Sequence, residues 1–203
     1  MFTGRFRQTE DVRFLHVLRD TNAYTQYRHQ AVAAGKTGDQ TRLGTGTTGS
    51  VDNMISLSTQ HSLSTAFFPN WFNQLQDDDS RSGVRLNASN YHDCIDYFLA
   101  GHSDFLLCYR AEGIGNELEN SHISSVVVGA DSLIPVVAEK RAARIGQQSE
   151  LPHVSFPAES FFGRLLTQHI YPRLESEQGL DTMGETALSE AMKAVAQQGM
   201  GVV

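Results

Sequence analysis

Apolar residues recur at spacings of three and four across residues 3–34, TGRFRQTEDVRFLHVLRDTNAYTQYRHQAVAA, where Val12, Phe14, Leu15, Val17, Leu18, Tyr24 and Tyr27 alternate with Arg, Asp, Gln and His. With no proline, and no glycine after Gly4, this spacing predicts one long helix carrying an apolar stripe. A stripe of that kind needs cover, either from a second copy in a coiled coil or from its own domain. The pattern then stops. Residues 35–50, GKTGDQTRLGTGTTGS, are rich in Gly and Thr and read as a flexible linker. From residue 52 onward strand-like and helix-like segments alternate: strands at 54–58, 84–89 and 105–109, helices at 65–76 and 92–100. That order is βαβαβ and calls for a parallel sheet. Beyond the polar stretch RAEGIGNELEN, strands are expected at 123–128 and 133–138. Helices are expected at 160–175 and 187–198, with a short extended piece between them, and a further strand begins at 199–203. The sum is an α/β chain of two lobes, 51–110 and 111–203.

Composition narrows the function classes. At 203 residues, 40% hydrophobic and 19% charged, the chain has material for one large domain or two small lobes. The 23 acidic residues against 16 Lys and Arg give a net charge of -7, which argues against a surface that holds nucleic acid by its phosphates. Two cysteines, Cys94 and Cys108, match neither a zinc site nor a redox pair. No apolar run reaches the roughly 18 residues a membrane span needs, and no signal-peptide pattern opens the chain. A cytoplasmic location without a membrane partner is the expectation.

Four segments carry a family likeness. Ser56 to Pro69, SLSTQHSLSTAFFP, resembles the strand-to-helix entrance of LysR-type effector-binding domains. Ala100-Gly-His-Ser-Asp-Phe-Leu106 is similar to the family segment in which a Gly ends a helix and an Asp opens the last strand of the first lobe; Asp104 stands at that aspartate, with a structural role expected. Gln197-Gln-Gly-Met-Gly-Val-Val203 resembles a glycine-rich strand late in the second lobe, and residues 3–20 resemble the linker helix after the winged helix-turn-helix. The resemblance implies a two-lobed, periplasmic-binding-protein-like (type 2) α/β effector-binding domain preceded by a linker helix. It further implies that a winged helix-turn-helix would precede Met1 and a closing strand would follow Val203, so that the first sheet is expected to be one strand short. Within the family, His61-Ser-Leu-Ser and Ser160-Phe-Phe-Gly-Arg-Leu165 are similar to the hypochlorite-responsive subgroup, where the position of Phe162 is a sensory methionine. Phenylalanine cannot form a sulfoxide. Oxidant sensing is therefore not carried over, and Met183, Met192 and Met200 read as packing residues.

The function so implied is that of a ligand-sensing regulatory domain of a DNA-binding transcriptional regulator, taking a small, anionic effector between two lobes. Its partners would be the effector, a second copy or a full-length relative joined through the linker helix, and DNA only through a helix-turn-helix outside this chain. In open α/β sheets ligands meet the C-terminal ends of strands and the helix N-termini beside them. That rule selects Gln60, His61 and Ser62 after the first strand, Ser160 before the helix that runs through Phe161, and Thr186 before the helix starting at Ala187; simple N-capping by the Ser and Thr is the plainer reading. Arg164 and Arg173 could complement an anion or stand in solvent. No cofactor or metal is expected. Gly44-Thr-Gly46-Thr-Thr-Gly49 spells a dinucleotide fingerprint, but polar linker precedes it and a strand follows. No nucleophile elbow, HExxH or P-loop is present, and His92 with Cys94 lie on different faces of one predicted helix. An enzyme is not expected. A stand-alone solute-binding protein and a truncated, non-functional fragment remain as alternatives.

Overall fold

The computed structural model describes residues 10–20, 54–76, 83–119, 122–142, 150–174 and 179–203. Its strands and helices are β1 (Glu10–Asp20), β2 (Met54–Gln60), α1 (His61–Ala66), α2 (Phe68–Leu75), β3 (Gly83–Ser89), α3 (Tyr91–Leu99), β4 (Phe105–Tyr109), β5 (Ile123–Leu133), α4 (Glu139–Ala142), β6 (Glu150–Ser155), α5 (Phe161–Leu165), α6 (Tyr171–Leu174), β7 (Gly179–Glu185) and α7 (Ser189–Gln198). The chain divides into two units, one containing His16–Cys108 and Asn116–Val127, the other Tyr109–Gly115 and Val128–Val203 with the start of β1. Residues 116–127 thus go with β2 to β4, whereas the sequence assigns everything after 110 to the second lobe. The reason is that β5 pairs in the first sheet.

That sheet has the order β3-β2-β4-β1-β5. Strand β2 runs parallel to β3, from Met54 opposite Gly83 to Gln60 opposite Ser89, and parallel to β4, with Leu57 opposite Phe105. The expected βαβαβ arrangement is present. Helix α3 buries Tyr91, Cys94, Ile95 and Phe98, the i, i+3, i+4, i+7 stripe of a helix packed on one face. The helix expected at 65–76 is two helices, α1 and α2, which meet at Phe67, two residues before Pro69.

Two expectations are corrected by β1. Residues 10–20 form a strand, not part of a helix over 3–34. Five of the seven residues from Val12 to Leu18 are apolar, a density that fits both a helical stripe and a strand covered on both faces. The place of these residues between β4 and β5 makes them a strand. By filling that place it also supplies a strand to a sheet expected to be one short. The remainder of 3–34 and the linker 35–50, with its glycine fingerprint, lie outside the described residues.

In the other unit β6 and β7 are parallel, with an irregularity between His153 and Val154. Val202 bridges to His153, and Val136 and Val203 exchange backbone hydrogen bonds of 2.9 and 3.0 Å, so the strand expected at 133–138 contributes one pairing point rather than a strand. The helix expected at 160–175 is α5, a π-helical turn over Leu166–Ile170, and α6 in succession. Val154, Phe156 and Met192 form a buried cluster, with Phe162, Leu166, Val195 and Val203 packed against it. Two glycines allow the close approaches this packing needs. A Cβ on Gly163 would overlap the Pro157 carbonyl, and one on Gly201 would lie 2.6 Å from the Pro152 oxygen.

Candidate functional site

The end of β2 is polar yet buried, and its hydroxyls are spent on anchoring. Ser58 Oγ donates to the Cys94 carbonyl at 3.1 Å and Thr59 Oγ1 to the Leu107 carbonyl at 2.8 Å. These bonds hold the strand end against α3 and β4. Gln60, also buried, is the N-cap of α1 in an extended conformation and makes no side-chain capping bond. His61 and Ser62 open the helix, both half-buried, at the turn where backbone N–H groups have no intrahelical acceptor. Their carbonyls are occupied: His61 accepts from Ser64 Oγ at 2.7 Å, and Ser62 from Thr65 Oγ1 at 3.2 Å. At the other end of β2, Asp104 fills the structural role expected of it. Its Oδ2 accepts from the Ser56 backbone N–H at 2.7 Å and the Ser56 hydroxyl at 2.6 Å, tying the start of β4 to β2.

Ser160 and Thr186 both depend on the segment that follows β6. Ser160 is the N-cap of α5: its Oγ accepts from the Gly163 N–H at 3.0 Å and donates to the Pro157 carbonyl at 2.7 Å. One acceptor lone pair is left to the hydroxyl. Thr186 joins the ends of β7 and β6, its N–H donating to the Ser155 carbonyl at 3.0 Å, while its Oγ1 accepts from the Leu188 N–H at 3.3 Å. Helix α7 starts at Ser189 with Leu188 as its cap, so Thr186 is not the capping residue the sequence suggests. The fold therefore gathers the five candidates into two groups, Gln60–Ser62 in one unit and Ser160 with Thr186 in the other. Arg164 is half-buried and Arg173 exposed.

Phe162 sits among aromatic rings, 5.2 Å from Tyr109, 5.0 Å from Phe156 and 5.4 Å from Phe161 between centroids. Cys94 is wholly buried, donates to the Tyr91 carbonyl at 3.1 Å, and has its pKa pushed up to about 12 by that burial. It is a core thiol. Among the described residues no group of three His, Cys, Asp or Glu side chains could hold a metal ion, and no helix is long and apolar enough to cross a membrane.

One cluster is absent from the sequence reading. His153 on β6 is buried, its Nε2 lies 3.2 Å from the Tyr171 hydroxyl, and that hydroxyl lies 2.9 Å from Ser155 Oγ. Ser155 in turn donates to the Phe156 carbonyl at 2.9 Å. Burial lowers the His153 pKa and raises that of Tyr171, the latter partly offset by the Ser155 hydrogen bond and reinforced by Glu185. A π-helical turn directly before Tyr171 sets that residue's position, a feature frequent at functional sites.

No family model and no curated protein matches this chain. Solved structures do. The regulatory domain of a HypT mutant from Salmonella typhimurium is 23% identical, with a TM-score of 0.60 over 74% of this chain and 70% of that one. Full-length HypT from the same organism, a hypochlorite-specific LysR-type transcriptional regulator, is 20% identical, with a TM-score of 0.62 over 88% of this chain and 56% of that one. The effector binding domain of QuiR, in complex with shikimate, is 13% identical, with a TM-score of 0.52 over 73% of this chain and 71% of that one.

Proposed function

We propose, from the premise that this chain has the fold of the effector-binding domains of LysR-type regulators, that it is a ligand-sensing regulatory domain for a small anionic effector. The observation that carries the reading is positional. All five candidate residues lie at or beyond the C-terminal ends of parallel strands: Gln60 ends β2 and His61 and Ser62 follow it, Ser160 lies in the segment after β6, and Thr186 directly follows β7. In parallel α/β sheets this is where ligands are held, because strand ends deliver helix N-termini whose free N–H groups favour negative charge. Ser62, His61 and the remaining lone pair of Ser160 add hydrogen-bonding groups that can distinguish one carboxylate from another. The QuiR neighbour holds shikimate, a hydroxylated carboxylate, which makes that class the first to try. Phe162 has no sulfur to oxidise, so a sulfoxide at that position is no part of this reading.

The test is calorimetry and thermal shift of the full chain against a panel of small carboxylates that includes shikimate. At least one should bind with a saturable heat and raise the melting temperature by mass action. Ser62→Ala and Thr186→Ala should weaken that ligand about tenfold or more, the loss of a hydrogen bond to a charged group. If no carboxylate in the panel binds, or both variants bind it as the natural chain does, the reading fails.

A further inference from the structure

The sheet β3-β2-β4-β1-β5 has two outer edges, and they are defended differently. An outer strand offers a row of backbone N–H and C=O groups to any chain that meets it, and proteins blunt that offer with charge, proline or a bulge. The β3 edge carries Arg85. In the smaller sheet, β7 carries Asp181 and Glu185. Strand β5 has no such device: Ile123-Ser-Ser-Val-Val-Val-Gly-Ala130 contains neither a charge nor a proline. Because β1 lies on the inner side of β5, its outer side is the one left open among the described residues. Val126 is 60% exposed and Val127 49%. Successive side chains of a strand point to opposite faces, so β5 shows apolar surface on both faces at the same place. An uncharged, valine-rich edge of that kind favours pairing with another strand.

We propose that the outer edge of β5 is an interface between two copies of this chain, paired antiparallel about a two-fold axis. The strand is its own complement. A two-fold axis normal to a sheet exchanges identical positions, so it must pass opposite a residue. Centred at Val127, it sets Val127 against itself, Val126 against Val128, Ser125 against Gly129, Ser124 against Ala130 and Ile123 against Asp131. Valines then fill the middle of the pair, where β-branched cross-strand neighbours stabilise a sheet. The one charge, Asp131, does not meet its own copy. Its carboxylate is held within its own chain, by the Tyr109 hydroxyl at 3.3 Å and the Ser132 N–H at 2.8 Å. A coiled coil over residues 3–34 would have been the other way to join two copies, but residues 10–20 are strand β1. None of the five candidate residues lies on β5, so the pairing stands or falls apart from the carboxylate reading.

The experiment is sedimentation equilibrium of the full chain from about 1 to about 300 μM, with amide hydrogen exchange measured at both ends of that range. A monomer–dimer equilibrium with a dissociation constant on the order of 10 μM is expected, in keeping with a small interface. In the concentrated sample every second amide from Ser124 to Ala130 should gain protection, because only alternate N–H groups of a strand point outward. Val126→Lys and Val127→Lys put a cation at exposed positions, close to its own copy across the axis, and each should weaken the dimer about tenfold or more. Thr182→Lys, on the exposed stretch of β7, should leave it unchanged. A chain that stays monomeric at about 300 μM overturns the proposal, whatever else binds the edge. So does a dimer indifferent to both β5 lysines, one that Thr182→Lys weakens as much, or one whose concentration-dependent protection lies outside β5.

Discussion

Acidification should loosen the unit built on β6 through His153, and the size of that residue's effect is bounded. Burial disfavours the imidazolium, so the folded chain releases a proton that the unfolded chain, with the ordinary value of 6.5, retains. Unfolding therefore takes up protons as pH falls below that value. Stability is full above it and declines below it, until the folded His153 itself protonates. Between about pH 7.5 and about pH 5.5 the unfolded-state contribution alone amounts to about 1.4 kcal/mol, a tenfold change in the opening equilibrium, and this is the ceiling for one histidine. Other groups titrate in the same range, so the informative quantity is a difference. His153→Phe keeps a ring of similar size on β6 and removes the titration. The single Trp, Trp71, lies in the other unit and would report the wrong event. Hydrogen exchange of the amides over Leu151–Ser155 is the suitable assay, with protection corrected for the intrinsic rate at each pH. Protection in the natural chain should fall by up to about tenfold more than in His153→Phe over that interval. Parallel pH profiles for the two proteins would refute the burial argument, whatever their absolute stabilities.

Two further outcomes follow from packing. Gly201→Ala places a Cβ 2.6 Å from the Pro152 oxygen and 2.9 Å from its carbonyl carbon, backbone atoms that Val202 N–H holds by a 2.8 Å bond, so the chain must shift. The cost should be about 1–3 kcal/mol, as for an overpacked core, read as a melting temperature lower by about 2–4 °C for each kcal/mol; an unchanged melt would show that the contact relaxes freely. Cys94, wholly buried and with its thiol pushed up to about 12, should resist iodoacetamide in the folded protein and react once the chain is unfolded. Alkylation of the native chain, located by peptide mass, would contradict its place in the core.

How much was legible depends on whether the signal was local. Helix α3 was readable because Tyr91, Cys94, Ile95 and Phe98 carry both the helical period and the helix length. Strands β2, β3 and β4 were readable from short apolar runs between turn residues. Strand β6 was not, because Glu150-Leu-Pro-His-Val-Ser155 has a proline at its third position and a histidine at its fourth, features that argue against an inner strand. The fold overrides both: Pro152 lacks a donor but its carbonyl accepts from Val202 at 2.8 Å, and His153 finds Tyr171. For β1 the local signal pointed the wrong way. Val12 to Leu18 satisfies a helical stripe and a covered strand equally, and only membership of the sheet, a property of distant residues, decides between them.

The site divides along the same line. Ser160 was legible because an N-cap announces itself in the chain, Ser before Phe161-Phe-Gly, and the capping bond to Gly163 is the local chemistry that residue type performs. Gln60, His61 and Ser62 were legible because a strand running into a helix marks a strand end wherever it occurs. His153 was not legible at all. Its partner Tyr171 comes from another element, eighteen residues along the chain, and Ser155 joins through that same hydroxyl, so no run of neighbouring residues announces the cluster.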